Sequence, residues 1–316
     1  MKTTSLVKNP DIPAQASSTS AKCTICNGDK NKFIGFPSIP QKFIGYIRKE
    51  YKSFYCKECN YYFVWPGIDL TEKEWSNMYK EGYFPGTMTK WWRNKRSKER
   101  KRVINYFKKY SPSNESKFLE IGCGEGYMLI DANKTGWRVC GIDVSDNRIK
   151  EAKDNKIDFE AGNVLKKNYE NESFDFVYMD SVLEHVPDPL KYMYEIKRIL
   201  KKDGLLYLAV PNENALILKF RTLIFKLAGK KNEALSFKPF NHPYHINGFT
   251  KKSLLKLLKD NNFSILKYRN YAGWYEFLKY KFLSKGFIKN ALLLPIHILA
   301  IPLRMQFYQD VICIKK

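Results

Sequence analysis

An α/β fold built around a parallel sheet is predicted by three observations. From residue 117 onward, short apolar runs alternate with segments of helical periodicity, the pattern of parallel strands joined by crossover helices. The first run, Phe118-Leu119-Glu120-Ile121, leads straight into Gly122-Cys123-Gly124-Glu125-Gly126, a glycine-spaced turn from a strand into a helix that starts at Tyr127. The second run, 138–144, carries Gly141-Ile142-Asp143 near its end, an acidic residue about 20 positions past the first glycine.

Residues 1–20 are rich in Ser, Thr, Pro and Ala and lack the apolar core of a secretory signal, so they read as a disordered lead-in. Seven cysteines without an export signal point to a reducing, cytoplasmic compartment. Cys23-x-x-Cys26 and Cys56-x-x-Cys59 are separated by 29 residues and can place four thiolates on one metal. Aromatic stretches at 51–55 and 61–65 suit short hairpins, so 21–66 reads as a zinc-ribbon-like module with an insertion between its cysteine pairs. Four cysteines leave no open coordination position, so the Zn2+ is expected to be structural. Free buried cysteines and disulfides are the rival readings.

Residues 67–112 read as a helical linker with helices over 70–79 and 91–107. In the second, Val103, Ile104, Tyr106 and Phe107 are spaced to pack on the main domain, and Ser111-Pro112-Ser113 ends it. The remainder, 113–316, is expected to carry strands at 117–121, 138–143, 158–161, 174–179, 205–210, 263–268 and 311–314. Asp188-Pro189 supplies an N-cap and a first-turn proline to a helix whose apolar positions are Leu190, Met193, Ile196, Ile199 and Leu200, with Asp203-Gly204 as its expected end. Thr250 caps a helix reaching residue 260.

Two insertions stand out, near 214–236 and 274–307. Within the second, 291–303 is an apolar run of 13 residues broken by Pro295 and Pro302, too short for a transmembrane span. It reads either as a flap packed on the domain or as an interfacial segment giving peripheral membrane contact.

The glycine turn lets a ligand lie against bare backbone. A dinucleotide fingerprint would need glycine where Tyr127 stands, so that match fails. The spacing is instead Glu120-x-Gly122-x-Gly124-x-Gly126 followed by Asp143, and here the chain resembles the class I S-adenosylmethionine (SAM)-dependent methyltransferases. The resemblance implies a Rossmann-like seven-stranded sheet whose last two strands form an antiparallel edge hairpin. It implies SAM as cofactor, held by Gly122, Cys123, Gly124 and Gly126, with Glu120 orienting the loop or the amino group. Asp143, with Val144 beside it, would accept from the ribose hydroxyls. Asn163 and Val164 would meet the adenine, and Asn163 departs from the aspartate usual there. Asp180 opens the loop after the fourth strand, on the methyl side.

That loop, Asp180-Ser181-Val182-Leu183-Glu184-His185-Val186-Pro187-Asp188-Pro189, resembles the Leu-Glu-His segment common in small-molecule methyltransferases. His185 is a candidate base near neutral pH, or else a residue that caps the loop. Glu184 could orient it or bind substrate. His242 and His245 precede the helix capped by Thr250, and His245 is a second base candidate or a loop-stabilising residue. A four-cysteine module before such a domain also resembles methyltransferases of sugar and surface-polysaccharide pathways. The expected acceptor is therefore a small molecule or glycan precursor, methylated on O or C.

The formal net charge of +23 leaves a second reading open, an RNA or protein methyltransferase that grips its substrate with the basic segment 90–109. A non-catalytic SAM-binding module is a third. The oligomeric state has no signature in the sequence.

Overall fold

The computed structural model describes residues 21–37, 39, 45–79, 90–110, 115–155, 157–229, 237, 239–240, 244–271 and 280–316, without the side chains of 90–95. The expected lead-in at 1–20, the break at 111–113 and His242 lie outside the described residues. The cysteine-bearing part is an antiparallel meander of β1 (Asn31–Gly35), β2 (Lys52–Cys56) and β3 (Tyr61–Trp65). Cys56 ends β2 and Cys59 sits in the β2–β3 turn, where Asn60 takes a left-handed conformation (φ 58°) that asparagine tolerates.

The linker holds α1 (Glu72–Met78) and α2 (Lys90–Tyr110). α1 starts later than its apolar pattern suggested, because Thr71 and Glu74 cap it reciprocally and leave Leu70 outside. α2 buries Val103, Ile104 and Phe107, and Phe107 stacks on Phe176 at a centroid distance of 4.7 Å. Three of its arginines pair with carboxylates of the main domain: Arg96 with Asp180, Arg100 with Asp131, and Arg102 with the buried Asp310. Three of the ten cations in the basic segment read as a possible nucleic-acid grip are thus tied into the domain's own charge network.

The main sheet is built from β4 (Lys117–Ile121), α3 (Tyr127–Asn133), β5 (Arg138–Asp143), α4 (Lys150–Asp154), β6 (Asp158–Ala161), β7 (Phe174–Asp180), α5 (Pro189–Ile199), β8 (Leu200–Pro211), α6 (Leu216–Leu227), β9 (Asn247–Gly248), α7 (Lys251–Asp260), β10 (Phe263–Tyr271), α8 (Lys285–Ala291), α9 (Leu294–Leu299) and β11 (Tyr308–Lys315), with β9 alone lying in the other sheet. The seven strands run in the order β10-β11-β8-β7-β4-β5-β6. β4 through β8 are parallel, while β11 pairs antiparallel to both β8 and β10, the expected edge hairpin. Strand order reverses at β4, so the C-terminal ends of β4, β5 and β7 open on a crevice where an α/β sheet takes its ligand.

α5 ends at Ile199, four residues before the expected Asp203-Gly204 stop. Leu200 is already in the sheet opposite Phe174, and the register then jumps to Phe176 opposite Leu205. Burying Leu200 in the sheet outweighs extending the helix. Residues 201–204 form the resulting irregularity, with Asp203 at φ 61°.

The cysteine module is not an independent bead. β9 adds to its sheet as a fourth strand, pairing Tyr62 with Gly248 and Phe63 with Asn247. A Cβ at Gly248 would lie 2.7 Å from Glu213 Cγ and 3.0 Å from Tyr62 Cβ, so this close approach requires glycine. Thr250 Oγ1 donates to the Asn60 carbonyl at 2.8 Å. Cys56, Cys59, Tyr61 and Phe63 belong to the same buried cluster as Phe249 and Leu257 of the main domain. The described parts of both insertions fold outside the sheet: α6 packs against α9, and the Leu216 N–H donates to the Met305 carbonyl.

Candidate functional site

β4 delivers the glycine turn to the crevice. Gly122, Gly124 and Gly126 all take positive φ (73°, 49° and 79°), a conformation costly for residues with a Cβ. At Gly122 a Cβ would fall 2.2 Å from Val182 Cγ2, so the turn also needs glycine to pass beneath the loop after β7. The Cys123 thiol packs on Gly141 and is buried, which pushes its pKa up.

A cavity of about 590 Å³ opens at this turn, within the size range of small-molecule sites. Its wall includes every cofactor residue expected from the sequence: Glu120, Gly122, Cys123, Gly124, Gly126, Asp143, Val144, Asn163, Val164 and Asp180. Glu184, His185 and His245 line the same cavity.

Asp143 ends β5 and has a structural duty that the sequence did not disclose. Its Oδ2 accepts from the Gly124 N–H at 2.8 Å and its Oδ1 from the Ser145 N–H at 3.3 Å. Burial pushes its pKa up, and these two backbone donors oppose that shift. A carboxylate has about four acceptor sites, so acceptor capacity remains for a diol.

Glu120 is buried, and its Oε2 has no hydrogen-bond partner. Burial holds its carboxyl well above the usual range, partly offset by the charge of Arg100. An orphaned acidic oxygen of this kind fits a cationic ligand group such as the SAM ammonium, which would restore the missing partner.

Asn163 behaves differently from the expectation that it could both accept from and donate to adenine. Its Oδ1 already accepts from the Leu165 N–H and the Tyr192 hydroxyl, each at 2.9 Å. Only the amide N–H donors remain for a ligand. Asp180 is likewise engaged, by Tyr178, Ser181 and Arg96 at 2.9–3.3 Å. Ser181 follows it with φ 59°, a strained position at the sheet end.

The loop after β7 brings three titratable groups together. Glu184 is buried, and both of its carboxylate oxygens lack a hydrogen-bond partner. Its Oε1 lies 3.9 Å from His185 Nε2 and 3.7 Å from His245 Nε2. The two imidazoles meet edge to face, 4.8 Å between centroids. Burial pushes the Glu184 carboxyl well above the usual range, so an imidazolium beside it is the charge that would favour its ionised form. The Glu184 carbonyl is fixed by the N–H groups of Ile246 and Asn247 at 2.8 and 3.0 Å.

Tyr79 is a contributor the sequence did not reveal. It ends α1 in the linker, and its hydroxyl sits 3.1 Å from His185 Nδ1. Tyr178, Tyr192, Phe307 and Tyr308 also line the cavity. No local motif marks them; each is one aromatic residue among many.

Apart from this cavity, the four expected cysteines converge. Cys23 and Cys59 Sγ are 3.6 Å apart, as are Cys26 and Cys56 Sγ, and all four lie within 4.8 Å of one another. A disulfide would bring two sulfurs to ~2 Å, whereas tetrahedral zinc with ~2.3 Å bonds sets them about 3.8 Å apart. The Cys59 contact pushes the Cys23 thiol down to about 5 and in turn pushes Cys59 up.

A family model described as a methyltransferase domain matches residues 91–268. Among curated relatives, the chain is 29% identical over 165 residues to the ubiquinone biosynthesis O-methyltransferase of Pelagibacter ubique, covering 49% of this chain and 65% of that enzyme. It is 33% identical over 111 residues to the enzyme of the same name from Haemophilus ducreyi, covering 30% and 45%. The chain thus spans about half the length of these relatives. A solved geranyl diphosphate C-methyltransferase from Streptomyces coelicolor overlaps 68% of this chain and 77% of its own at 14% identity and a TM-score of 0.49. The matched family segment covers more than half of the 316 residues and contains the glycine turn, the Glu184-His185 loop and His245, and the chain therefore belongs to the methyltransferase-domain family.

Proposed function

We propose that the protein is a SAM-dependent methyltransferase acting on an oxygen or an acidic carbon of a small-molecule acceptor, a glycan precursor included. The observation that carries this reading is the placing of Glu184, His185 and His245 on the wall of the cavity that the glycine turn opens. When bound, SAM would supply an electrophilic methyl group to the acceptor, with S-adenosylhomocysteine as the leaving group. The chain's own residues do the rest. Gly122, Gly124 and Gly126 present bare backbone, Glu120 receives the ammonium, and Asp143 holds the ribose while clamping Gly124.

His185 takes the acceptor proton at an imidazole nitrogen. The Tyr79 hydroxyl orients the ring, and the Glu184 carboxylate stabilises the imidazolium that forms. His245 shares Glu184 and stands in the same position to act, so the two histidines are paired candidates for one role. Positioning the acceptor against the methyl group contributes a large part of the rate. The Cys23, Cys26, Cys56 and Cys59 cluster is proposed to hold one structural Zn2+, which closes the module and takes no part in the transfer.

The test is turnover with a phenolic and a carbon-acid acceptor panel at saturating SAM. Loss of at least about a hundredfold in kcat for His185→Ala or His245→Ala, with SAM affinity retained, assigns the base. SAM binding by calorimetry with no transfer to any acceptor class would instead support a non-catalytic binding module.

A further inference from the structure

We propose that the two insertions together form a docking face for an anionic lipid bilayer. Of the sixteen exposed large hydrophobic side chains among the described residues, twelve lie on α6 or between 280 and 303. Leu227, Leu292 and Phe282 are 79%, 75% and 72% exposed, a degree of exposure that isolated surface hydrophobes do not explain when they cluster. α6 packs against α9, and Phe282 lies edge-on to Phe287 of α8, the helix that leads directly into α9, so these elements are neighbours outside the sheet.

Among the described residues of the two insertions every formal charge is positive. Lys219, Lys226, Lys281, Lys285, Lys289 and Arg304 are exposed there. No Asp or Glu occurs at 214–229 or 280–307, although the whole chain carries 32 acidic residues in 316. Apolar side chains interspersed with cations match an anionic headgroup surface over acyl chains. A second copy of the chain is a poorer occupant, because a two-fold interface would press this basic face against itself.

The helices are short. α8 has seven residues and α9 six, with Pro295 in α9 and Pro302 just beyond it, and among the described residues no helix is long and apolar enough to cross a membrane. They suit the plane of an interface instead. The insertions leave and rejoin the sheet at Pro211 and Phe307, both of which line the cavity. A docked bilayer would therefore sit beside the cavity.

The decisive experiment is co-sedimentation of the full chain with vesicles of pure phosphatidylcholine or of equimolar phosphatidylcholine and phosphatidylglycerol. Binding is expected only to the anionic vesicles and should weaken as salt is raised. Leu227→Glu/Phe282→Glu/Leu292→Glu and Lys281→Glu/Lys285→Glu/Lys289→Glu should each lower it by at least about tenfold. None of these residues lines the cavity, so unchanged SAM affinity certifies that the variants fold. Wild-type protein left in the supernatant with anionic vesicles would overturn the proposal. So would equal binding to both vesicle types, or a lipid-free dimer that the apolar variant dissociates. The readout uses no acceptor, so it stands or falls separately from the proposed reaction.

Discussion

The Tyr61 hydroxyl donates to Oδ1 of Asn247, and the same asparagine donates through Nδ2 to the carbonyls of Val186 at 2.6 Å and Leu183 at 3.4 Å. One buried amide thus joins the cysteine module to both sides of the Glu184-His185 turn. Tyr61 and Asn247 are fully or almost fully buried, so neither can replace a lost partner with bulk water. Tyr61→Phe is expected to cost about 1–3 kcal/mol of stability. It should also lower kcat more than it weakens SAM binding, because the glycine turn does not touch this relay. Thermal melting reads the first effect and turnover set against calorimetric SAM affinity reads the second, and equal losses in kcat and SAM affinity would refute the coupling.

Metal analysis of the purified protein should return one zinc per chain. Cys56→Ser should lose it, because three ligands no longer close the tetrahedron. Loss of the metal should loosen β3 and, through Tyr61 and Asn247, reduce turnover. Chelation that strips zinc and leaves both melting temperature and turnover unchanged would show that the cluster does not support the catalytic loop.

Asp143 clamps the Gly124 N–H and is proposed to accept from the ribose diol, and two substitutions grade the combined role. Asp143→Ala removes both the diol acceptor and the clamp on the Gly124 N–H, and SAM affinity should fall by ~1–3 kcal/mol or more. Asp143→Asn keeps one carbonyl oxygen, so it should fall between the wild type and the alanine variant. Calorimetric titration that finds unchanged affinity for the alanine variant would remove Asp143 from the cofactor site.

Glu213 predicts a pH dependence of stability. It is buried behind β9, and burial pushes its carboxyl up to about 8, against the lowering charge of Arg221. A carboxyl raised above its unfolded value favours the fold fully below that value, and the contribution is lost as pH rises through the folded pKa. Stability should therefore decline between about pH 4.5 and 8 on account of this residue. Glu213→Gln should melt higher than the wild type at pH 9, by up to a few kcal/mol, and differ little at pH 4. Parallel melting curves at both pH values would contradict the assignment.

The parts of this protein legible from sequence are those written within a few consecutive residues. The glycine turn needs positive φ at three alternate positions, and only glycine supplies that cheaply, so 122–126 declares itself. Asp188-Pro189 and Thr250 announce helix starts because a cap acts within one turn. The cysteine pairs are legible because a C-x-x-C spacing places two thiols on one short knuckle. The end of α5 was misjudged because the burial of Leu200 against β7, a tertiary effect, outweighs the local Asp203-Gly204 stop signal.

Tertiary structure alone decided the rest. Tyr79 reaches His185 across 106 positions, and β3 pairs with β9 across more than 180, distances over which no propensity operates. Packing likewise turned Arg96, Arg100 and Arg102 toward internal carboxylates, so a segment that reads as a basic surface is partly an internal brace. The sequence by itself determined the sheet, the glycine turn and the chemistry available at its edge, because backbone conformation and residue type are local properties. Which side chains share the cavity, and which element holds them there, was decided by burial and long-range pairing, because those depend on where the whole chain places its apolar surface.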